Sequence, residues 1–208
     1  MKPAAQSQTV RRVGCTRLTT KWGIVQAFGF QQEICNGTRR NETAVALLLG
    51  QLRGKVPLLR IHSQCLTGDV FSSERCDCRA QLELALHMIA EERRGLVIYE
   101  HQEGRGIGLL NKLRAYELQD EGADTVEANE RLGFESDLRN YELPGEILRY
   151  FGLKSIRLLS NNPEKVAAVE AAGVRVAERV PCIVPAMDST EAYLRTKKEK
   201  MGHLFTER

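Results

Sequence analysis

The spacing of hydrophobic residues makes the first part of the chain rich in predicted strands. Segments 22–32 and 43–51 carry many β-branched and aromatic residues and predict two strands, with the polar segment 36–41 as the turn between them. Segment 56–63 predicts a further strand, which delivers Cys65 at its end. This part of the chain is therefore expected to be β-rich.

From Gln81 onward the hydrophobic period becomes that of a helix, and this helix is expected to stop at Gly95. Strands that alternate with helices are typical of a mostly parallel sheet with crossover connections. The sequence thus predicts one α/β domain with a mixed, mostly parallel sheet, flanking helices and a β-rich N-terminal portion. The later predicted strands are 96–99, 155–160 and 174–177, and the later predicted helices are 107–121, 145–151 and 163–172.

Composition fits a soluble globular protein of one domain. A chain of 208 residues is long enough for one sizeable core, and 42% hydrophobic with 27% charged residues is ordinary. The net charge of +3, scattered basic residues and 6% aromatic residues do not favour a nucleic-acid partner. No apolar run reaches membrane-spanning length, and segment 1–9 has no signal-peptide core. We therefore expect a cytoplasmic protein with no membrane partner.

Half of the six cysteines have a spacing that suits a metal site. Ten residues separate Cys65 from Cys76, and one residue separates Cys76 from Cys78. In a reducing cytosol such residues are metal ligands or free thiols rather than disulfides. Thiolates without a fourth protein ligand predict an open zinc site, which leaves a position for water. The other cysteines are expected to be ordinary buried or surface thiols: Cys15, Cys35 and Cys182.

This spacing leaves two alternatives to a catalytic zinc site. One is a closed structural knuckle in which His62 is the fourth ligand, and the other is a set of buried free thiols. The pattern C-x10-C-x-C is less diagnostic than paired C-x-x-C motifs. If Leu58 to Ser63 is extended, however, the neighbours of His62 would direct its ring elsewhere.

Two loops that follow predicted strands have features of phosphate sites. Segment 103–106, EGRG, leads from a strand into a helix N-terminus, where free backbone N–H groups favour anions. Segment 160–165, SNNPEK, adds a hydroxyl and a lysine. The alternatives are a mere turn for the first and plain helix capping for the second. A dinucleotide fingerprint fails because position 109 is leucine. With a zinc site, the loops suggest a phosphorylated substrate.

Several long motifs occur in a fixed order along the chain: RIHSQCLTGDVFSSERCDC (60–78), HQEGRGIGLLNKLRAYELQDEGADTVEAN (101–129), LGFESDLR (132–139), LLSNNPEKV (158–166) and KKEKMGHLF (197–205). Together they resemble the GTP cyclohydrolase II family, zinc enzymes that open GTP at the start of riboflavin synthesis. The resemblance runs from about Trp22 to the C-terminus. It implies a catalytic domain over 21–208, preceded by a polar, basic arm with an edge strand over 1–20.

The resemblance implies a role for each matching residue. Asp137 is the implied proton acceptor and Arg139 the implied nucleophile, while Tyr116 matches the tyrosine of members that complete the reaction. The implied ligands of one zinc ion per chain are Cys65, Cys76 and Cys78. The residues implied to line the nucleotide site are Arg60, Ile61, His62, Ser63, Gln64, Gln81, Glu103, Gly104, Arg105, Thr125, Ser160 and Lys165.

The implied reaction turns GTP and water into formate, pyrophosphate and 2,5-diamino-6-(5-phosphoribosylamino)pyrimidin-4(3H)-one. The resemblance also implies a homodimer, and the triphosphate calls for Mg2+. Two alternatives remain at this level. The protein could be a paralogue that stops at the formamide or that feeds a specialised azapteridine-like pathway. In addition, Arg139 could clamp phosphate rather than attack it, because a guanidinium in water stays protonated.

The chain departs from the family pattern at positions near the implied site. Gln64 stands where glutamate is expected before the first cysteine, and Arg79 where glycine usually follows C-D-C. Ser160 replaces the usual threonine and keeps the hydroxyl. The changes at 64 and 79 remove a negative charge and add a positive one close to the implied metal in sequence.

Overall fold

The structure is a computed structural model that describes residues 10–36, 38–185, 199, 202 and 204, without the side chains of 34–40. Its strands are β1 (Arg11–Thr20), β2 (Gly23–Asn36), β3 (Thr38–Leu49), β4 (Leu58–Ser63), β5 (Gly95–Glu100), β6 (Ser155–Leu159) and β7 (Arg175–Val180). Its helices are α1 (Leu66–Asp69), α2 (Cys78–Glu91), α3 (Leu109–Asp120), α4 (Thr125–Arg131), α5 (Glu142–Tyr150) and α6 (Pro163–Ala171), with a 3-10 helix at Glu103–Gly106.

All the strands belong to one mixed sheet, in the order β1-β2-β3-β5-β4-β6-β7. Strands β5, β4, β6 and β7 are parallel to their neighbours in this row, whereas β1, β2, β3 and β5 are joined by antiparallel pairs. The predicted single α/β domain with a β-rich N-terminal portion is confirmed. Strand β1 lies at the edge of the sheet and covers the second half of the predicted arm, while residues 1–9 lie outside the described residues.

The predicted turn at 36–41 was wrong in its length. Strand β2 continues to Asn36 and β3 begins at Thr38, so that these two residues face each other across a much tighter hairpin. Polar side chains do not stop an antiparallel ladder, because its hydrogen bonds are made by the backbone. Composition alone therefore overestimated the length of the turn.

Two hydrophobic cores lie on opposite faces of the sheet. In β5, Leu96 and Ile98 pack into the core that also holds Ile147 of α5, whereas Val97 packs into the core with Ile89 of α2. Side chains alternate between the faces of a strand, so a central strand covered on both sides is a continuous hydrophobic run. This explains why residues 96–98 carry no polar position.

Two helices escaped the sequence analysis. Helix α1 has only four residues, which is too short to show a hydrophobic period. Helix α4 begins with a capping box, in which the Asp124 carboxylate accepts from the backbone of Val126 and Glu127 while the Glu127 carboxylate accepts from the backbone of Asp124.

Among the described residues, no helix is both long and apolar enough to cross a membrane.

Helices α5 and α6 meet at a close approach that requires glycine. A Cβ atom added at Gly145 would lie 2.6 Å from the Cβ of Ala172. We expect Gly145→Ala to lower the free energy of unfolding by about 1–3 kcal/mol, because the added methyl group overpacks this contact. Chemical denaturation would measure the loss. In an Ala172→Gly background the same substitution should cost less than half as much, and an equal cost in both backgrounds would contradict the overpacking.

Candidate active site

The site lies at the carboxyl ends of the adjacent parallel strands β5, β4 and β6, a usual place for ligands in α/β sheets. There the loops surround a cavity of about 370 Å³. Most residues implied by the resemblance line this cavity: Arg60, His62, Ser63, Gln64, Cys65, Cys76, Cys78, Gln81, Glu103, Gly104, Arg105, Tyr116, Thr125, Arg139, Ser160 and Lys165.

Two implied residues do not line the cavity with their side chains. The Ile61 side chain is fully buried in the hydrophobic core, and its carbonyl oxygen accepts a hydrogen bond from Lys165 Nζ at 2.9 Å. The Asp137 carboxylate instead binds Arg139, which does line the cavity. Ile61 thus contacts a residue of the cavity wall through Lys165, and Asp137 does so through Arg139.

The three predicted metal ligands converge at one side of this cavity. Their sulfur atoms all lie within 4.8 Å of one another, and the Sγ atoms of Cys65 and Cys76 are 3.6 Å apart. Cys65 precedes α1, and Cys78 is the first residue of α2. A Cβ atom at Gly68 would lie 2.9 Å from Cys76 Sγ and 3.2 Å from Cys65 Sγ, so only glycine leaves this space free.

The chemistry of these thiols fits a soft divalent cation. Hydrogen bonds from Cys76 and Cys78 lower the pKa of Cys65. The hydrogen bond with Cys65 raises the pKa of Cys76 to about 11, and hydrogen bonds with both other thiols raise the pKa of Cys78. The thiols therefore compete for one negative charge. A cation would remove this competition because it stabilises every thiolate that it binds.

His62 is not part of the sulfur cluster, as its place in a strand predicts. It is only 2% exposed, its Nε2 lies 3.1 Å from the Asp69 carboxylate, and its ring stacks on Tyr99. Burial lowers the pKa of His62 despite the nearby carboxylate. Within the described part of the chain, the cluster contains thiols alone and no imidazole or carboxylate. A closed knuckle completed by His62 thus has no support.

Asp69 is a site residue that the sequence analysis missed. Besides His62, its carboxylate accepts a hydrogen bond from the backbone N–H of Cys65 at 3.0 Å and from the Tyr99 hydroxyl at 2.7 Å. It therefore fixes the backbone of Cys65, the first predicted ligand, against β4 and β5. An aspartate four residues after a predicted ligand was the available signal.

Lys112 was also missed, although it lies between the thiols and Tyr116. Its Nζ is 3.1 Å from Cys65 Sγ, and the cation lies 5.6 Å from the centre of the Tyr116 ring. Burial opposes the charged form of Lys112, but the Cys65 thiolate and the Glu103 carboxylate outweigh it and raise the pKa of this lysine. The spacing of four residues between Lys112 and Tyr116, which puts both on one helix face, was the signal.

Tyr116 projects from α3 toward the thiols. Its hydroxyl lies 3.3 Å from Thr67 Oγ1, which in turn is 3.7 Å from Cys65 Sγ. The guanidinium of Arg75 stacks over the ring of Tyr116, 4.8 Å from the ring centre. Burial raises the pKa of Tyr116, so the phenol keeps its proton at neutral pH and can donate a hydrogen bond.

Asp137 and Arg139 form a bidentate ion pair beside the cavity. Arg139 Nε donates to Asp137 Oδ1 at 2.9 Å, and Arg139 Nη2 donates to Asp137 Oδ2 at 2.5 Å. Burial alone would raise the pKa of Asp137, but the guanidinium of Arg139 lowers it. The carboxylate is therefore ionised and already in contact with the hydrogens that it would have to accept.

A glutamine clasp holds the loop that carries this pair. Gln102 Nε2 donates to the carbonyl oxygen of Asn140 at 2.6 Å, and Asn140 N donates to Gln102 Oε1 at 3.0 Å. Gln102 Nε2 also donates to Glu100, whose pKa is raised to about 7 by burial. The sequence analysis did not single out these residues, because their pairing joins distant segments.

Other implied binding residues bind one another in the cavity wall. Arg60 donates to the Leu159 carbonyl oxygen at 3.0 Å and to Gln81 Oε1 at 2.7 Å. Lys165 Nζ lies 3.3 Å from Ser63 Oγ. These buried contacts fix the orientation of the cationic side chains before any ligand binds.

The three residues that depart from the family pattern, Gln64, Arg79 and Ser160, do not all lie at the cavity. Gln64 and Ser160 line the cavity. Arg79, in contrast, is exposed on α2, donates to Ser72 Oγ and lies 3.6 Å from Glu83. The positive charge that it adds therefore points to solvent and is paired there.

Comparison with known proteins identifies the family of this chain. A family model for GTP cyclohydrolase II matches residues 11–181. A protein from Shewanella amazonensis named GTP cyclohydrolase-2 is 48% identical over 200 residues, which are 96% of this chain and 95% of that protein. Proteins of the same name from Buchnera aphidicola and Yersinia pestis are 50% and 51% identical, over 90% and 95% of this chain and 94% and 98% of their own lengths. The chain therefore belongs to the GTP cyclohydrolase II family.

Proposed function

We propose that the protein is a zinc-dependent GTP cyclohydrolase II of riboflavin synthesis. It converts GTP and water into formate, pyrophosphate and 2,5-diamino-6-(5-phosphoribosylamino)pyrimidin-4(3H)-one. The observation that carries the proposal is the convergence of three thiols, Tyr116 and Arg139 on one cavity. We further propose that it acts in the cytoplasm as a homodimer, as the family resemblance implies.

The zinc ion would be held by Cys65, Cys76 and Cys78, with the space beside Gly68 kept open for the sulfurs. When bound, zinc supplies the Lewis acidity that makes water a nucleophile at neutral pH, for attack on C8 of guanine and then on the formamide. A fourth protein ligand is lacking within the described residues, which supports an open rather than a closed site.

The cavity also suits a nucleotide triphosphate. Lys165 lies in the first turn of α6, and the Ser160 hydroxyl belongs to the loop before that helix, so a cation and a hydroxyl line the same part of the cavity. Arg105 lines the same cavity and adds a second cation. We propose that these groups bind the phosphates and that Mg2+ arrives with the triphosphate as part of the substrate.

In this proposal, Arg139 and Asp137 carry out the release of pyrophosphate from GTP. Arg139 nitrogen attacks the α-phosphorus of GTP, a P–N bond forms, and the bond to pyrophosphate breaks. The guanidinium proton passes to the Asp137 carboxylate, which touches both Nε and Nη2. Water later cleaves the P–N bond and releases the 5′-phosphate product.

Tyr116 is proposed to orient the formamide for the second hydrolysis. Its protonated hydroxyl stands beside Thr67, on the side of the cavity that holds the thiols. We expect the unaltered protein to release formate and pyrophosphate in equal amounts. In Tyr116→Phe the formate-to-pyrophosphate ratio should fall by about 10²-fold, because the formamide loses its hydrogen-bond donor. Product analysis by mass spectrometry would measure the ratio.

A control for this substitution is Tyr150→Phe, since Tyr150 is half exposed and packs in an aromatic cluster with Phe30 and Phe151. It should leave the ratio at one. Formamide that accumulates with the unaltered protein would contradict the role of Tyr116 and would favour a paralogue that stops at the first hydrolysis.

The function as a whole is tested by incubating the pure protein with GTP and Mg2+ and identifying each product by mass. We expect formate, pyrophosphate and the diaminopyrimidinone phosphate. A protein that carries zinc but leaves GTP intact would contradict the proposal.

A further inference from the structure

Lys112 is a buried lysine whose ammonium group touches a thiol of the sulfur cluster. The residue is only 9% exposed, and lysine is rarely buried without partners. Its Nζ lies 3.1 Å from Cys65 Sγ, 3.0 Å from Thr67 Oγ1 and 2.7 Å from Glu103 Oε1. An ammonium group has three hydrogens, so each acceptor takes one of them. All three ammonium hydrogens of Lys112 are therefore used, and one of them makes the hydrogen bond to sulfur.

Glu103 positions this ammonium group next to the thiol of Cys65. Its Oε1 atom accepts from Lys112 Nζ and, at 3.1 Å, from the backbone N–H of Gly104. Its Oε2 atom accepts from the backbone N–H of Leu66 at 2.6 Å, directly after Cys65 in the chain. One carboxylate thus fixes both the cation and the backbone that carries the sulfur.

Zinc with three thiolates has a formal charge of −1, and strong donation from sulfur reduces the Lewis acidity of the ion. A hydrogen bond donated to a ligating sulfur withdraws part of that electron density, and contacts of this kind outside the ligand shell tune a metal ion. Because Lys112 reaches Cys65, it can act on the metal without touching it. This step rests on the zinc site proposed above.

We propose that Lys112 is a positioning residue of the metal centre, which weakens the donation of Cys65 and thereby preserves the Lewis acidity of the zinc ion. Packing alone does not require a cation at this place, since a methionine of similar length would fill the same space. Glu103 would keep its two backbone donors in such a variant, so Lys112→Met should still fold.

The test compares cobalt-substituted proteins, whose sulfur-to-cobalt charge-transfer band reports the electron density on the thiolates. In Lys112→Met we expect this band to move to longer wavelength, because the more electron-rich thiolate is easier to oxidise. We also expect zinc affinity at fixed pH to fall by about 10–100-fold, the usual effect of removing such a partner. Lys112→Arg should restore most of the wild-type spectrum, since it keeps both charge and donors.

The matched control is Lys165→Met, which removes another buried lysine of the same cavity. Lys165 Nζ binds the Ile61 carbonyl oxygen at 2.9 Å and Ser63 Oγ at 3.3 Å. This control should impair the reaction with GTP but leave the cobalt band unshifted. If Lys112→Met is insoluble, Lys112→Gln serves instead, with a smaller shift expected because an amide donor remains.

A cobalt band and a zinc affinity that match the wild type in the Lys112 variant would overturn the proposal. An equal shift in Lys165→Met would also overturn it, because the effect would then be a general loss of positive charge. The zinc function fails separately: if the unaltered protein gives no sulfur-to-cobalt band, the metal site itself is wrong and the role of Lys112 falls with it.

Discussion

Cys76→Ser is expected to abolish formate release, with a loss on the order of 10³-fold, because Lewis-acid activation is worth several kcal/mol. A neutral hydroxyl is a poor replacement for a thiolate, and Cys76 lies 3.6 Å from Cys65 in the sulfur cluster. Metal content should fall in parallel. Atomic absorption on the purified variant and a formate assay with GTP measure both quantities.

Cys15→Ser provides the matched control for this substitution. Cys15 is an exposed thiol on the edge strand β1, so its loss should change neither the zinc content nor formate release. A Cys76→Ser protein that has lost its metal but still releases formate near the wild-type rate would show that zinc is not the catalyst.

Arg139→Lys is expected to prevent covalent labelling by GTP that carries a label in its α-phosphate. With zinc removed, the unaltered protein should form the P–N bond, release pyrophosphate and keep the label on the denatured chain. A lysine at this position loses the forked contact with Asp137 and should lower pyrophosphate release by about 10²–10⁴-fold. Because P–N bonds break in acid, the protein must be denatured and separated at alkaline pH.

Two further variants decide how a negative result is understood. Asp137→Asn keeps the shape of the pair but removes the proton acceptor, and it should also fail to trap the label. Arg131→Lys, an exposed arginine at the end of α4, should label like the wild type. Pyrophosphate released by the unaltered protein without any trapped label would identify water as the nucleophile and Arg139 as a phosphate clamp.

The order of the motifs was enough to predict the family, and the hydrophobic periods were enough to predict the α/β fold. Local patterns indicate such features. A continuous apolar run such as Leu96 to Ile98, placed between helical segments, is typical of a parallel strand buried on both faces. The spacing of the cysteines likewise predicted the sulfur cluster, and the predicted strand around His62 indicated that its ring lies elsewhere. The roles of Asp137 and Arg139 came from the resemblance alone, and the structure adds their contact.

The tertiary structure decided which polar residues support the site. Lys112 looks like a surface lysine in its own helix, and only the packing of α3 against α1 brings its ammonium group to Cys65. Gln102 and Asn140 are 38 positions apart and meet through the fold. Hydrogen bonds between distant segments leave no periodic trace in a sequence, because their partners are chosen by the positions of whole helices and strands. The sequence by itself therefore determined the fold and the sulfur cluster, while only the folded chain determined which charges surround that cluster.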